Sequence, residues 1–165
     1  MKRLAITMAI GSLMACGGDS PSAPTPPANI AGSYNVHITA ASSCSASLPA
    51  ETRALLFVST VTQAGAAVQM ELMGHQGGTG TVSGTVSGQT VNFPSWSLNE
   101  TLGRGATLAA SGSVSVASTN RLTGTLNGTY QTPSGSSCNA ANHQLEMVKL
   151  CLQPTPTGTA LVPCV

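Results

Sequence analysis

Thiols are the most reactive groups that this chain offers, and five cysteines are spread along its 165 residues. They form no CxxC spacing, and His37, His75 and His143 form no HxH pair. Structural zinc sites use closely spaced cysteine and histidine ligands, so we predict no metal site and no cofactor. Two kinds of thiol chemistry are left to consider, acylation and disulfide formation.

Cys16 differs from the other cysteines in what precedes it. Lys2 and Arg3 are followed by the apolar segment 4–14. A positive start and an apolar stretch of roughly 7 to 15 residues are typical of a secretory leader. A permanent membrane span needs roughly 20 apolar residues, so this segment is too short to be one.

The run Leu13-Met14-Ala15-Cys16 resembles the lipobox of bacterial lipoproteins. The resemblance implies that residues 1–15 are a signal peptide, that cleavage occurs before Cys16, and that lipid on its sulfur holds the protein on a membrane. It places the protein in the bacterial cell envelope. Asp19 lies too far from Cys16 to match an inner-membrane retention signal, which favours the outer membrane. The alternative is an ordinary secretory signal that is cut elsewhere.

Once Cys16 is lipidated, five cysteines minus one leave four: Cys44, Cys138, Cys151 and Cys164. An even number in an oxidising compartment indicates two disulfides, for which three pairings exist. We favour Cys44–Cys138, which joins loops near the two ends of the domain. The second bridge is then Cys151–Cys164, which pins the tail, residues 152–165, to the last strand.

The charge balance excludes one class of partner. Without Lys2 and Arg3, six basic residues minus two leave four, against five acidic residues. Nucleic-acid binding needs clustered lysine and arginine to neutralise phosphates, and the four that remain are scattered. We therefore predict no nucleic-acid partner.

Two segments follow the leader. Residues 16–28 contain four prolines among small residues and predict an extended tether. From Asn29 onward the pattern is β. Residues 32–39 alternate strictly, which places Tyr34, Val36 and Ile38 on one face and His37 on the other. Further strands are predicted over 56–63, 68–72, 81–87, 89–93, 108–116, 122–130 and 144–151.

Three features modify this series. Residues 47–55 are ambiguous and could begin a short helix. Pro94 ends or bulges its strand, and the alternation breaks near Val148 as a bulge would cause.

About eight strands without a long helix predict an all-β domain over residues 29–151. We favour an antiparallel meander that forms a closed or partly open barrel, with a β-sandwich as the alternative. Glycines alternate with valine or leucine in residues 83–88 and 122–130. Such glycines let strands bend and coil, as a small barrel requires.

The start Ile30-Ala31-Gly32-Ser33-Tyr34 and residues 122–130 resemble short motifs of avidin-like and lipocalin-like barrels. The resemblance implies an interior that can hold a small apolar ligand. Avidins line their site with several tryptophans and this chain has one, so biotin binding is not implied. Candidate ligand-binding residues are Tyr34, Met70, Trp96 and Tyr130. The alternative is that these side chains simply form the core.

No pattern in the chain identifies an enzyme. Residues 80–84 place Ser83 one position away from a GxSxG elbow. The domain carboxylates are scattered and show no pairing of the kind that glycosidases use; they are Glu51, Glu71, Glu100 and Glu146. We predict no catalytic residue. An envelope hydrolase is the less favoured alternative and would need His75 or His143 beside a serine and a carboxylate.

The sequence thus predicts a membrane-anchored envelope lipoprotein whose domain is a non-enzymatic binding or structural module. Its partners would be the membrane, through the lipid on Cys16, and either a small apolar ligand or another envelope protein. A cavity lined by Trp96 and Met70 would favour ligand binding. A filled interior would favour a structural or docking role.

Overall fold

Nine β-strands form most of the structure that the computed structural model describes, over residues 25–74, 79–99, 106–155 and 158–164. The strands are β1 (Gly32–Thr39), β2 (Ala54–Ala64), β3 (Ala67–Gly74), β4 (Thr79–Ser87), β5 (Thr90–Asn99), β6 (Thr107–Ser118), β7 (Arg121–Gln131), β8 (Ser137–Thr155) and β9 (Gly158–Pro163). Two short 3-10 helices, Ser42–Ala46 and Ala50–Thr52, lie between β1 and β2. The leader, Cys16, the first part of the tether, His75 and Glu100 lie outside the described residues.

Strands β1 to β8 pair antiparallel in chain order, and β1 also pairs with β8. Tyr34 of β1 lies opposite Ser59 of β2 on one side and opposite Lys149 of β8 on the other. Because the first and last strands are hydrogen-bonded to each other, the sheet closes and has no exposed edge there. The predicted all-β meander is confirmed as a closed eight-stranded barrel, and the sandwich alternative is wrong.

The side-chain alternation of each strand decides what lies inside. In β1 the predicted inward residues Tyr34, Val36 and Ile38 are buried, whereas His37 lies half-buried on the outer wall. In β3 every second residue is buried in the same way. Since successive strand side chains point to opposite faces, the inward residues of eight strands meet in one core.

Glycines allow β6 and β7 to approach each other closely. A Cβ added to Gly124 would lie 2.7 Å from the Cα of Val114, and one added to Gly112 would lie 2.9 Å from the Cα of Leu126. A side chain at either position would therefore push the two strands apart. This is the physical basis for the glycines that the sequence places within these strands.

Of the two bulges that the sequence predicted, one is confirmed. The pairing of β5 with β6 shifts register between Phe93 and Trp96, around Pro94. The bulge predicted near Val148 is wrong, because Val148 lies in regular register opposite Arg121. The irregularity of β8 lies earlier, where its pairing with β7 shifts between Leu126 and Gly128.

Several boundaries differ from those predicted, among them the end of β5 at Asn99 rather than residue 93 and the start of β8 at Ser137 rather than residue 144. β2 begins at Ala54 rather than at residue 56, directly after the short helix Ala50–Thr52. β8 continues past residue 151 to Thr155, and the tail returns as β9. The predicted tail is thus a strand paired with β8, and the limit at residue 151 falls inside β8.

Candidate functional site

The barrel has two ends, which we name by the chain's course. At the entry end lie the start of β1 and the turns at Gly65, Gly88 and Asn120. At the far end lie the connection between β1 and β2 and the turn between β7 and β8. A ligand inside such a barrel enters through one end, so the closure of each end decides whether the interior is accessible.

The four candidate ligand-binding residues lie inside the barrel and fill it. Tyr34, Met70, Trp96 and Tyr130 are each no more than 2% exposed and belong to one continuous hydrophobic core. None of them lines any of the three surface grooves described below. Their packing corresponds to the alternative interpretation, in which they form the core.

The bulge in β5 positions Trp96 within this core. Its ring meets that of Phe93 edge to face, with centroids 5.2 Å apart and planes at 85°. The indole Nε1 of Trp96 and the Oγ of Ser59 are both buried and have no hydrogen-bond partner in the described part of the protein. Buried polar groups are normally paired, so these two atoms are the interior positions best suited to a polar contact with a small molecule.

Residues 28–30, which we call the strap, cross the entry end. The Gln63 side chain accepts a hydrogen bond from the Ile30 N–H at 2.8 Å and donates one to the Ala28 carbonyl at 2.9 Å. The Ala28 N–H in turn donates to the Gly88 carbonyl. Ile30 itself is 3% exposed, so its side chain closes this end with apolar atoms.

Tyr34 ties the strap to the core. Its hydroxyl donates a hydrogen bond to the Ile30 carbonyl at 2.8 Å. Burial raises the pKa of this phenol above its usual value, because the charged form would lose its hydration. The phenol therefore stays neutral and acts as a structural donor.

Residues 40–53, which we call the cap, cover the far end. Cys44 and Leu48 are buried within the core, and the Cys44–Cys138 disulfide joins the cap to β8. Arg53 holds the cap in shape, because its guanidinium donates to the carbonyls of Leu48 at 2.8 Å and Ser45 at 2.6 Å. Both favoured disulfides, Cys44–Cys138 and Cys151–Cys164, are present in the structure.

His143 is the structural residue that sequence reasoning missed. It is fully buried, its Nδ1 accepts a hydrogen bond from the Ala41 N–H at 3.1 Å, and its Nε2 lies 3.0 Å from the Gly128 carbonyl. Accepting at Nδ1 leaves the ring proton on Nε2, which then donates to Gly128. Both ring nitrogens are thus committed to the backbone, and His143 links the cap to the barrel rather than serving a serine or a carboxylate.

The outer wall of the barrel is polar but nearly uncharged. One ion pair, between Arg121 Nε and Glu146 Oε1 at 2.7 Å, lies on it with both side chains partly exposed. Exposed pairs of this kind stabilise by roughly 0 to 1 kcal/mol. Within the described residues no group of three or more histidine, cysteine or acidic side chains could hold a metal ion.

Two grooves cross the outer face of β2, β3 and β4, which we call the β2–β4 wall. One groove has a volume of about 390 Å³ and runs across the three strands between two sets of cross-strand neighbours. The first set is Val58, Met73 and Thr79, and the second is Thr60, Glu71 and Thr81. A second, of about 440 Å³, lies nearer the entry end and is lined by Thr62, Gln69 and Ser83 among others.

Exposed apolar side chains collect at the far-end side of this wall. Met73 is 62% exposed and lies opposite Val58 on the neighbouring strand. A third groove, of about 180 Å³, is lined by Leu56 and Val58 among others. The wall thus combines exposed apolar groups with neutral polar ones.

No helix among the described residues has the length and apolar character needed to cross a bilayer. Comparison of the chain with protein-family models, curated proteins and solved structures found no significant match.

Proposed function

We propose that this chain is a bacterial envelope lipoprotein, anchored through lipid on Cys16, whose barrel is a non-enzymatic scaffold that docks an envelope component on its outer surface. The anchor follows from the leader and from the lipobox-like run Leu13-Met14-Ala15-Cys16. Cleavage would free the Cys16 amine, and its sulfur would carry diacylglycerol as a thioether. More than one acyl chain gives stable anchoring to a bilayer.

The two disulfides support an exported location. Cys44–Cys138 and Cys151–Cys164 use all four cysteines that follow Cys16. Disulfides persist in oxidising compartments and are rare in the cytosol. The pairing leaves Cys16 alone as the cysteine available for acylation.

The observation that carries the choice of a scaffold over a ligand carrier is how the described residues cover both ends. The strap packs Ile30 over the entry end, and the cap packs Cys44 and Leu48 over the far end. The largest side chains of the chain fill the space between them. Interactions with other molecules would then take place on the outside.

The β2–β4 wall is the part of the outside best suited to docking. It carries exposed apolar groups, Met73 and Val58, beside the grooves. Exposed apolar side chains gathered beside polar ones are typical of protein interaction sites. The low charge of the wall favours a partner of equally low charge.

One measurement tests the anchor and the redox state together. The full chain is produced in a bacterial host, extracted in mild detergent and weighed by native and denaturing mass spectrometry. We expect the mass of residues 16–165 with lipid added, and four hydrogens fewer than in the fully reduced chain. An uncut leader with free thiols would refute the proposal.

A second candidate function, the carriage of a small ligand inside the barrel, is favoured by the buried atoms Trp96 Nε1 and Ser59 Oγ. If it is correct, the native spectrum shows a co-purified small molecule that is lost in Trp96→Phe or Ser59→Ala. Met73→Ala, on the outer wall, is the matched control and should retain the molecule. A spectrum without any added molecule would favour the scaffold.

A further inference from the structure

The last strands extend beyond the barrel at the entry end. The pairing of β8 with β7 ends at Arg121 opposite Val148, and its pairing with β1 ends at Ser33 opposite Leu150. Beyond these points β8 pairs only with β9. Residues 151–155 together with β9 therefore form a projecting two-stranded hairpin, which we call the arm.

The arm presents two leucines to its surroundings. Leu152 is 71% exposed and Leu161 is 51% exposed, and the two are direct cross-strand neighbours. Leu152 is the most exposed of the large hydrophobic side chains of the described residues. Residues 150–165 also contain no charged side chain, so no charged side chain of the arm would lose its hydration in a less polar environment.

The base of the arm is held firmly. The Cys151–Cys164 disulfide joins its two strands, and the Cys164 N–H donates to the Lys149 carbonyl. This crosslink keeps the arm aligned with β8 as that strand leaves the barrel. The direction in which the arm points is thus set by the barrel.

The chain reaches the barrel at the same end. The strap crosses the entry end, where Ala28 bonds to Gly88. A polyproline-like tether, as the prolines of residues 16–28 predict, would span roughly 37 Å from Cys16 to Ala28, at about 3.1 Å per residue. The five residues 151–155 project roughly 17 Å, at about 3.4 Å per residue. A tether of this length allows the arm to reach the membrane that would hold a lipid on Cys16.

The edges of the arm argue against a second copy as the occupant. Pro154 in β8 and Pro163 in β9 lack the backbone N–H that a further strand would need. Proline at an edge strand is a common device against strand addition. A lipid surface requires no such donors.

We propose that the arm contacts the membrane to which Cys16 is anchored, with Leu152 and Leu161 inserted in its interfacial region. This inference rests on the lipid anchor proposed above. The arm and the acyl chains then form two separate contacts with one membrane. Together they fix the orientation of the barrel, with the entry end toward the membrane and the cap away from it.

For the test, the full chain is expressed in a bacterial host and the mature protein is purified from it. The mature protein is then reconstituted in vesicles of phosphatidylethanolamine and phosphatidylglycerol. Leu152→Trp adds a fluorophore at the arm, and Met73→Trp adds one at a comparably exposed site on the β2–β4 wall, at the far end. Trp96 is buried and supplies a constant background that the parent protein measures. Leu161→Trp is a second arm variant in case the first fails to fold.

We expect brominated lipids to quench most of the added fluorescence of Leu152→Trp and to leave Met73→Trp unchanged. Acrylamide in the aqueous phase should quench the added fluorescence of Met73→Trp more strongly than that of Leu152→Trp. Equal access of acrylamide to both sites in an acylated, vesicle-bound protein would overturn the inference. So would protection of the arm from both quenchers, because a second protein copy would then cover it.

The same samples separate this inference from the proposed anchor. Lipid on Cys16 is read directly from the protein mass. An unacylated chain whose arm is still quenched by brominated lipid overturns the anchor and retains the membrane contact. An unacylated chain that does not bind vesicles overturns both.

Discussion

At the far end of the barrel a disulfide joins the cap to β8, whereas at the entry end the strap is held by hydrogen bonds with the side chains of Gln63 and Tyr34. The arm has its own disulfide, but this bridge links positions only 13 residues apart, against 94 for Cys44–Cys138. The far end is therefore built for global stability. The entry end combines a lighter closure with a locally fixed projection, and it is the end at which the proposed anchor would join the barrel.

Removal of the Cys44–Cys138 bridge should have the largest effect. In the chain-entropy view, a closed loop of this length stabilises the fold by about 4 to 5 kcal/mol. We expect Cys44→Ala/Cys138→Ala to lower the free energy of unfolding by this amount, measured by urea denaturation with the barrel's circular dichroism as signal. A loss below about 1 kcal/mol would contradict the assignment of stability to the far end.

His143→Ala should come next. The change leaves the Ala41 N–H and the Gly128 carbonyl without their partner and opens a cavity in the core. We expect a loss of about 3 kcal/mol in the free energy of unfolding. His37→Ala, on the outer wall, is the matched control and should change it by less than about 0.5 kcal/mol. Similar losses for the two variants would show that the His143 contacts contribute little.

At the entry end, Gln63→Ala removes three side-chain hydrogen bonds, to Ile30, Ala28 and Gly65. Because this glutamine is partly exposed, water can replace some of them, and we expect a loss of about 1 to 2 kcal/mol. Hydrogen exchange should show faster exchange of the Ile30 amide. Gln69→Ala, exposed on the β2–β4 wall, serves as the control. A loss larger than that of His143→Ala would reverse the proposed order of the two ends.

The sequence predicted the order of β1 to β8, and of the three possible pairings it favoured the two disulfides that the structure contains. A clear alternation of apolar and polar side chains, as in residues 32–39, directly indicates a strand with one buried face. Four cysteines allow only three sets of disulfide pairs. The arm was missed because Pro154 and Pro163 interrupt its pattern and because its leucines face solvent on both strands. A projecting hairpin has no buried face, so it leaves no alternation to detect.

The role of His143 could not be read from the chain either. Its partners are backbone groups, and one of them, Ala41, lies 102 residues away. Backbone contacts of this kind depend on the path of a loop rather than on residue types. The covering of the barrel ends could not be predicted for the same reason, because the cap and the strap contain no regular hydrophobic pattern that would indicate burial.

Alkaline pH tests the strap in a different way. Burial raises the pKa of Tyr34 above its ordinary value of 10.0, so above pH 10.0 the unfolded chain loses this proton before the folded protein does. The free energy of unfolding should therefore fall as pH rises from 10.0 toward the raised pKa. Tyr34→Phe should lower stability by about 1 kcal/mol at neutral pH and make this alkaline decline shallower. Urea denaturation of both proteins at pH 8 and above pH 10 measures the difference, and parallel declines would contradict it.

The arm disulfide should have the smallest effect on the barrel and provides the sharpest comparison with Cys44–Cys138. In the chain-entropy view a loop of this size would stabilise by about 3 kcal/mol if it unfolded together with the barrel. The arm lies beyond the last pairing of β8 with β1 and β7, so it can separate without opening the core. We expect Cys151→Ala/Cys164→Ala to change the free energy of barrel unfolding by less than about 0.5 kcal/mol. Hydrogen exchange should be much faster in β9 while β1 to β7 are unchanged. A loss near 3 kcal/mol would instead show that the arm and the barrel unfold as one cooperative unit, since only then would the short loop contribute to global stability.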